Sequence, residues 1–364
     1  MNIAEIRIEP CDLAKDDPEW RFALAANPLS QGWAVSITAE DGTTGYGYGS
    51  SMPHYGAPVE AVKANLENFK ETLMGRDSRR IAELLWELDR QVVGNNQAKA
   101  AIDCALHDLL ARRLDIPLCE LFGGAVREEF VSLRILPIKS PADMAAGARA
   151  LMDKGFNHFK IKVHGNVEED IARVAAIREE VGADAGLTID ANQSYAPKDA
   201  IRAITAMAEF GIDLAEQPVA AGDLRGLKLV TDSVAVTVEA DEAADSLAQV
   251  AALVRARAVD AVSLKITKLG GLRNTVAAAR ICEAGGIRYR IGAHVGPRVL
   301  AAHAMHMAAT LPGIWYACEL AEFDRLLDDP FEGIEVENGL LRLPEGPGCG
   351  VAPRPESTLA RAAG

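Results

Sequence analysis

From residue 162 onward, one titratable residue recurs at a nearly constant interval. Lys162 to Asp190 is 28 positions, followed by 26 to Glu216, 25 to Asp241, 24 to Lys265, 29 to His294 and 25 to Glu319. Each of these residues lies at or near the end of a short apolar run. Between the runs lie Ala-rich amphipathic stretches such as ARVAAIREEVG, DAIRAITAMAEFG and TVAAARICEAGG. A period of this length accommodates one strand and one crossover helix, so the pattern is that of repeated βα units around a parallel sheet. Starting at about residue 131, the candidate strands are VSLRILPI, HFKIKVH, GLTIDAN, DLAEQPV, VAVTVEADE, AVSLKITK, RYRIGAH and IWYACEL. Eight such units in roughly 200 residues predict an α/β protein with a modified (β/α)8-type TIM barrel, whose strands would end at a common rim.

Within these runs polar and apolar residues alternate. His158, Lys160, Lys162 and His164 share one parity, and Phe159, Ile161 and Val163 share the other. The same holds for Thr188, Asp190 and Asn192, for Glu239 and Asp241, and for Ser263, Lys265 and Thr267. In a closed barrel the apolar parity packs under the helices and the polar parity points to the shared centre. Charges confined there must be paired, and the strands after Lys160 and Lys162 supply carboxylates.

Asp190, Glu216 and Asp241 on three consecutive strands form a cluster that repels itself unless a cation sits within it. Oxygen ligands at a rigid rim suit a hard ion, Mg²⁺. Asn192 and Glu242 are placed to support these ligands. Alternatively, the carboxylates pair with Lys160, Lys162, Lys265 and Lys268 and hold no metal. Lys162 and Lys265 fall on the second and sixth strands and so face each other across the mouth. A lysine is a usable base only if its pKa falls towards neutrality, and a divalent ion and a neighbouring ammonium both push that way. One amine could then remove the proton α to a substrate carboxylate while the other returns it, the geometry of a racemase or epimerase. Glu319 on the last strand points inward, to meet either a substrate ammonium or a barrel lysine.

The first part of the chain reads differently. NIAEIRIEP alternates, GWAVSITAEDGTTGYGYGS suggests a hairpin with a D-G turn, and helical patterns follow near 58 to 74, 78 to 92 and 97 to 114. This is an α+β unit. Its loops AKDDPEWRFALAANPLSQ and SSMPHYGAP carry Trp20, Phe22, His54 and Tyr55, candidates to contact a substrate. GYGYG lacks the GxGxxG spacing of a dinucleotide loop and reads as a glycine-rich hairpin end. A net charge of −14 argues against nucleic acid and anionic membrane as partners. No apolar run of about 18 residues and no secretory leader are present, so a cytoplasmic protein is expected. The six scattered cysteines, without a CxxC pair, are expected to be buried reduced thiols.

FKIKVHG, TIDANQSY, AEQPV, EADEAA and SLKITKLGG together resemble the signature stretches of the enolase superfamily, in particular its muconate-lactonising subgroup. KAAIDCALHDLLARRLDIPLCELFGG is similar to the segment that joins cap to barrel in those enzymes. The resemblance covers nearly the whole chain. It implies a capping domain over 1–125, a barrel over 126–320 and a segment over 321–364 that returns to the cap. It further implies Mg²⁺ on Asp190, Glu216 and Asp241, Lys162 and Lys265 as the acid/base pair, Lys160 tuning Lys162, and a supporting contact from Lys268. His294 instead resembles the mandelate-racemase subgroup, whose histidine base pairs with an aspartate where Lys265 stands here. It is taken as a further acid, a hydrogen-bond donor to substrate or a supporting group. The implied activity is Mg²⁺-dependent racemisation or epimerisation of an amino-acid-derived or related small carboxylate by a homo-oligomer. β-Elimination from a hydroxy acid or hydroxylated amino acid, and cycloisomerisation, use the same frame. A non-catalytic metal-binding scaffold is the reading from another class.

Overall fold

In the computed structural model, residues 1–292 and 295–360 are described. The chain opens with strand β1 (Ile3–Pro10) and the hairpin β2 (Gly32–Ala39) and β3 (Thr44–Ser50), an antiparallel sheet in the order β1-β2-β3. The hairpin turns where the D-G pair predicts, with Gly42 at φ 84°. Helices α1 (Val59–Leu73), α2 (Ile81–Gln91) and α3 (Asn96–Leu114) follow, close to the expected positions. The alternate glycines of GYGYG serve packing. A Cβ on Gly45 would lie 2.2 Å from the carbonyl oxygen of Ala105, and one on Gly47 would lie 2.1 Å from that of Ala101. Only glycine lets α3 settle directly on the hairpin backbone.

A seven-stranded parallel sheet holds β4 (Arg134–Leu136), β5 (His158–Lys162), β6 (Gly186–Asp190), β7 (Ile212–Glu216), β8 (Thr237–Ala240), β9 (Ala261–Leu264) and β10 (Arg288–Ile291), adjacent in chain order. Each pair is joined by a helix: α4 (Pro141–Met152), α5 (Val167–Val181), α6 (Pro197–Ala208), α7 (Leu224–Ser233), α8 (Leu247–Ala256) and α9 (Leu272–Gly285). Four of them start on side-chain caps. Ser140, Asn166, Asp223 and Ser246 each accept from the backbone N–H three residues on. The expected eighth strand is a correction to the sequence reading. Residues 314–320 form no regular ladder but single parallel bridges, Ile314 with Tyr289 and Cys318 with Ser132. These touch both edges of the sheet and close the cylinder, and α10 (Arg298–Thr310) fills the crossover before them.

Phe159 and Ile161 of β5 are fully buried on the outer face, in one core with Val174 and Ile177 of α5. Lys160 and Lys162 take the inner face, so the alternation is that of a barrel strand buried on both sides. After residue 320 the chain returns to the N-terminal unit: Leu327 N donates to Ala14 O, and Cys349 N donates to Asp108 on α3. All six cysteines are buried and unpaired. Among the described residues no helix is long and apolar enough to cross a membrane.

Candidate active site

The register of β5, β6 and β7 sets Lys162, Asp190 and Glu216 side by side. Asp241 lies two residues beyond Glu239, the partner of Glu216, and Lys265 follows the end of β9. The acidic groups are thus not level along their strands; the stagger of a barrel brings them together. Lys160 Nζ lies 3.2 Å from Asp190 Oδ2, 2.8 Å from Glu216 Oε2 and 2.9 Å from Glu319 Oε1. Lys162 Nζ sits 2.5 Å from Asp190 Oδ2 and donates to Asn192 Oδ1 at 2.9 Å. On the other side Lys265 Nζ sits 2.5 Å from Asp241 Oδ2 and 3.9 Å from Glu216 Oε1. Lys268 donates to Asp241 Oδ1 at 2.6 Å. Asn192 Nδ2 donates to Glu242, tying Lys162 to a second carboxylate.

Electrostatics follow from this enclosure. Burial alone would lower the Lys160 amine, but Glu216, Glu319 and Asp190 hold it well above the ordinary lysine value. Burial opposes the Lys265 charge too, and Asp241 outweighs it, so this amine is also raised. The fall towards neutrality expected from sequence is therefore absent for Lys265 while Asp241 touches it. Glu216 is pushed well above the carboxylate range by burial, with Asp190 and Glu319 adding to the effect. Its Oε1 is buried without a hydrogen-bond partner among the described residues. Glu242 is raised to about 7 by burial and by Asp241 and Asp190. A buried carboxylate with an idle oxygen, close to two further carboxylates, is a donor set that a hard divalent cation would complete. By this test Asp190, Glu216 and Asp241 fit Mg²⁺.

Lys160, Lys162, Asn192, Asp241, Lys265 and Glu319 line one cavity of about 450 Å³, together with Trp20, Phe22 and His54 of the N-terminal unit. The Lys162 ammonium lies 5.6 Å from the centre of the Phe22 ring. The His54 imidazole is lowered to about 4 by desolvation and by Lys265. Tyr55 is not among the described lining residues and packs behind His54, ring centres 4.7 Å apart. His294 lies outside the described residues.

Sequence reasoning missed Arg290. It is fully buried on the inner face of β10, and its guanidinium bonds Glu216 and Glu319 at 2.6 Å each and Glu239 at 2.7 Å. Its parity in RYRIGAH was the available signal. Gln217 was missed as well. Held at φ 36° just past Glu216, it accepts from the N–H groups of Asp241 and Ala243 and fixes the following strand end.

Comparison with known proteins agrees with this architecture. The family model "Enolase C-terminal domain-like" matches residues 143–357, and "Mandelate racemase / muconate lactonizing enzyme, N-terminal domain" matches residues 20–123. A hydrophobic dipeptide epimerase of Enterococcus faecalis is 36% identical over 355 residues, 97% of this chain and 100% of the relative. A chloromuconate cycloisomerase of Cupriavidus necator is 35% identical over 87% of each chain. Two solved structures superpose closely. The E. faecalis dipeptide epimerase with Mg and L-Leu-L-Tyr gives a TM-score of 0.93 at 33% identity, covering 97% of this chain and 100% of that one. The N-succinyl Arg/Lys racemase of Bacillus cereus gives 0.94 at 28%, covering 97% and 96%. With matches running through both the N-terminal unit and the barrel, this chain belongs to the enolase superfamily, in its mandelate racemase/muconate lactonizing enzyme branch.

Proposed function

We propose that the protein is an Mg²⁺-dependent racemase or epimerase that moves the α-proton of an amino-acid-derived carboxylate. The observation that carries this reading is the placement of Lys162 and Lys265 at opposite ends of one carboxylate row, both on the wall of one cavity. A divalent cation on Asp190, Glu216 and Asp241 would hold the substrate carboxylate, stabilise the charge that builds on it and draw these carboxylates away from the amines.

The chain's own residues carry the proton. A neutral amine of one lysine takes the α-hydrogen as the C–H bond breaks, and the electron pair passes into the substrate carboxylate as an enediolate. The ammonium of the other lysine returns a proton to the opposite face, inverting the centre and exchanging the protonation of the two amines. Lys160 stays charged between Asp190, Glu216 and Glu319 and keeps the Lys162 side of the site electropositive. Asn192 orients Lys162 through its 2.9 Å bond. The epimerase and racemase relatives support this chemistry.

Cycloisomerisation is the second reading, favoured by the 35% identical chloromuconate relative, and needs one proton-transferring lysine. The buried unpaired thiols accord with a cytoplasmic setting, and a homo-oligomer completes the reading.

Turnover in D₂O separates the alternatives. Racemisation incorporates one α-deuterium with inversion and no other change of mass. Lys162→Ala should abolish exchange from one enantiomer while leaving it detectable from the other, and Lys265→Ala should do the reverse. Exchange untouched in both variants would refute the assignment.

A further inference from the structure

We infer that Asp108, His303 and Cys349 form a buried zinc site that staples the N-terminal unit, the barrel and the returning segment together. Each places one candidate ligand atom within 4.8 Å of those of the other two, and all three residues are at most 1% exposed. Asp108 lies on α3, His303 on α10 and Cys349 in the segment after residue 320. The cluster shares no residue with the carboxylate row or with the cavity beside it.

The imidazole points most directly to a ligand. His303 Nδ1 lies 2.6 Å from Val299 O, and burial lowers the pKa of the ring from 6.5, so it is neutral. A carbonyl oxygen only accepts; Nδ1 therefore carries the hydrogen, and Nε2 presents a lone pair. That nitrogen is buried and finds no hydrogen-bond partner among the described residues. A histidine that donates one ring N–H to a backbone carbonyl and keeps the other nitrogen bare is arranged as a metal ligand.

The other two ligands are braced from outside. Asp108 Oδ2 accepts from Tyr46 N and Arg112 Nε at 2.9 Å each. Its Oδ1 accepts from Cys349 N at 2.7 Å and, among the described hydrogen bonds, takes no other, which leaves a lone pair free. The Cys349 sulfur has only long contacts, 3.9 Å from Arg112 Nη2 and 3.8 Å to Val351 O. Arg112 thus supports both the carboxylate and the sulfur, and its charge favours the thiolate that zinc requires. It does not complete the set itself, since none of its described bonds reaches His303.

The donor atoms select the metal. Sulfur and imidazole nitrogen with one carboxylate suit Zn²⁺, whereas Mg²⁺ takes oxygen. Around tetrahedral zinc, sulfur and nitrogen ligands lie about 3.5 Å apart, so the three side chains need to close by about 1.3 Å at most. Cys104 stands one turn before Asp108 on α3 and offers the fourth position. Burial raises its thiol well above the ordinary value, and Asp103, Cys349 and Asp108 add to the effect. Four protein ligands would make a closed, structural site. Because they come from three separate parts of the chain, the site is complete only in the folded protein, and the metal enters as the chain folds.

The test uses the full chain, produced in a Zn²⁺-supplemented medium and purified with excess Mg²⁺ to compete for the carboxylate row. We expect one zinc per chain, with an X-ray absorption spectrum showing sulfur at about 2.3 Å and nitrogen at about 2.0 Å. Zinc content should fall at least tenfold in Cys349→Ala and in His303→Leu, with near-ultraviolet circular dichroism reporting that each variant folds. Sulfur and nitrogen around zinc in the wild type uphold the site even where a variant fails to fold. A zinc-free wild type, a metal shell without sulfur, or full zinc content in either folded variant overturns it.

Discussion

Lys160 and Glu319 lie on the second strand and the closing segment of the barrel, and their side chains meet at 2.9 Å in its centre. The same carboxylate oxygen receives Arg290 at 2.6 Å. The pair thus joins the closing segment, which lacks a regular ladder, to the strand that carries Lys160 and Lys162. Removing one member leaves buried charge uncompensated, at a typical cost of about 3–5 kcal/mol. Glu319→Gln should lower stability by about that amount in chemical denaturation. Lys160→Met should do no less, because Lys160 serves three carboxylates. The double variant should cost less than the two singles together, with a coupling of about 1 kcal/mol or more. Strict additivity would mean that the two groups do not act as a pair.

The carboxylate row predicts a metal-dependent stability. A ligand that binds only the native state adds about 2.7 kcal/mol when present at 100 times its Kd. Excess Mg²⁺ should raise the unfolding midpoint, and a chelator should return it. In Asp241→Asn the metal-free protein is also weakened, since Lys265 and Lys268 lose their anion. The informative quantity is therefore the difference with and without Mg²⁺ within each protein. A shift of the same size in wild type and Asp241→Asn would move the cation elsewhere.

What the sequence reveals here depends on how local the determining physics is. The spacing of the strand-end residues and the parity of HFKIK are local, and they place Lys160, Lys162, Asp190, Glu216, Asp241 and Lys265 around one centre. Arg290 shares that parity, but it lies four residues before His294, the residue of that strand whose position matches the other strand-end groups. The side chain of Glu319 can be read as inward-facing. Its pairing with Lys160 and Arg290 depends on distances across the barrel that no linear pattern encodes. The closing segment was misread for a related reason: IWYACEL has strand composition, but whether a ladder forms depends on both edges of a cylinder that is not local in sequence.

The hairpin glycines give a prediction about the support of the cap loops. Gly47→Ala places a methyl group 2.1 Å from a backbone oxygen of α3, so the helix must move. Overpacking of this kind costs typically about 1–3 kcal/mol. Gly222→Ala is the control, since nothing lies within 4 Å of its added Cβ and its φ is not positive. Thermal unfolding should show a clear loss for the first and near-neutrality for the second. Equal midpoints would mean that the close approach of α3 is readily relaxed.

His306 of α10 sets a pH dependence far from the cavity. It is fully buried, Nδ1 accepts from Cys119 N at 3.3 Å, and Nε2 has no partner among the described residues. Burial, with His303 beside it, lowers its pKa from 6.5 to about 4. In the unfolded chain the ring takes a proton near pH 6.5, whereas the native protein resists doing so until about pH 4. Between these values the unfolded state binds more protons, so stability falls as the pH falls, and the loss levels off below 4. At 1.36 kcal/mol per unit the full window is worth about 3 kcal/mol. Urea unfolding of wild type and His306→Gln at pH 7.5 and 4.5 isolates this contribution from the other titrating groups. The variant should lose less stability than wild type on acidification. Equal losses in both proteins would show that the native state accepts a proton on His306 as readily as the unfolded chain does.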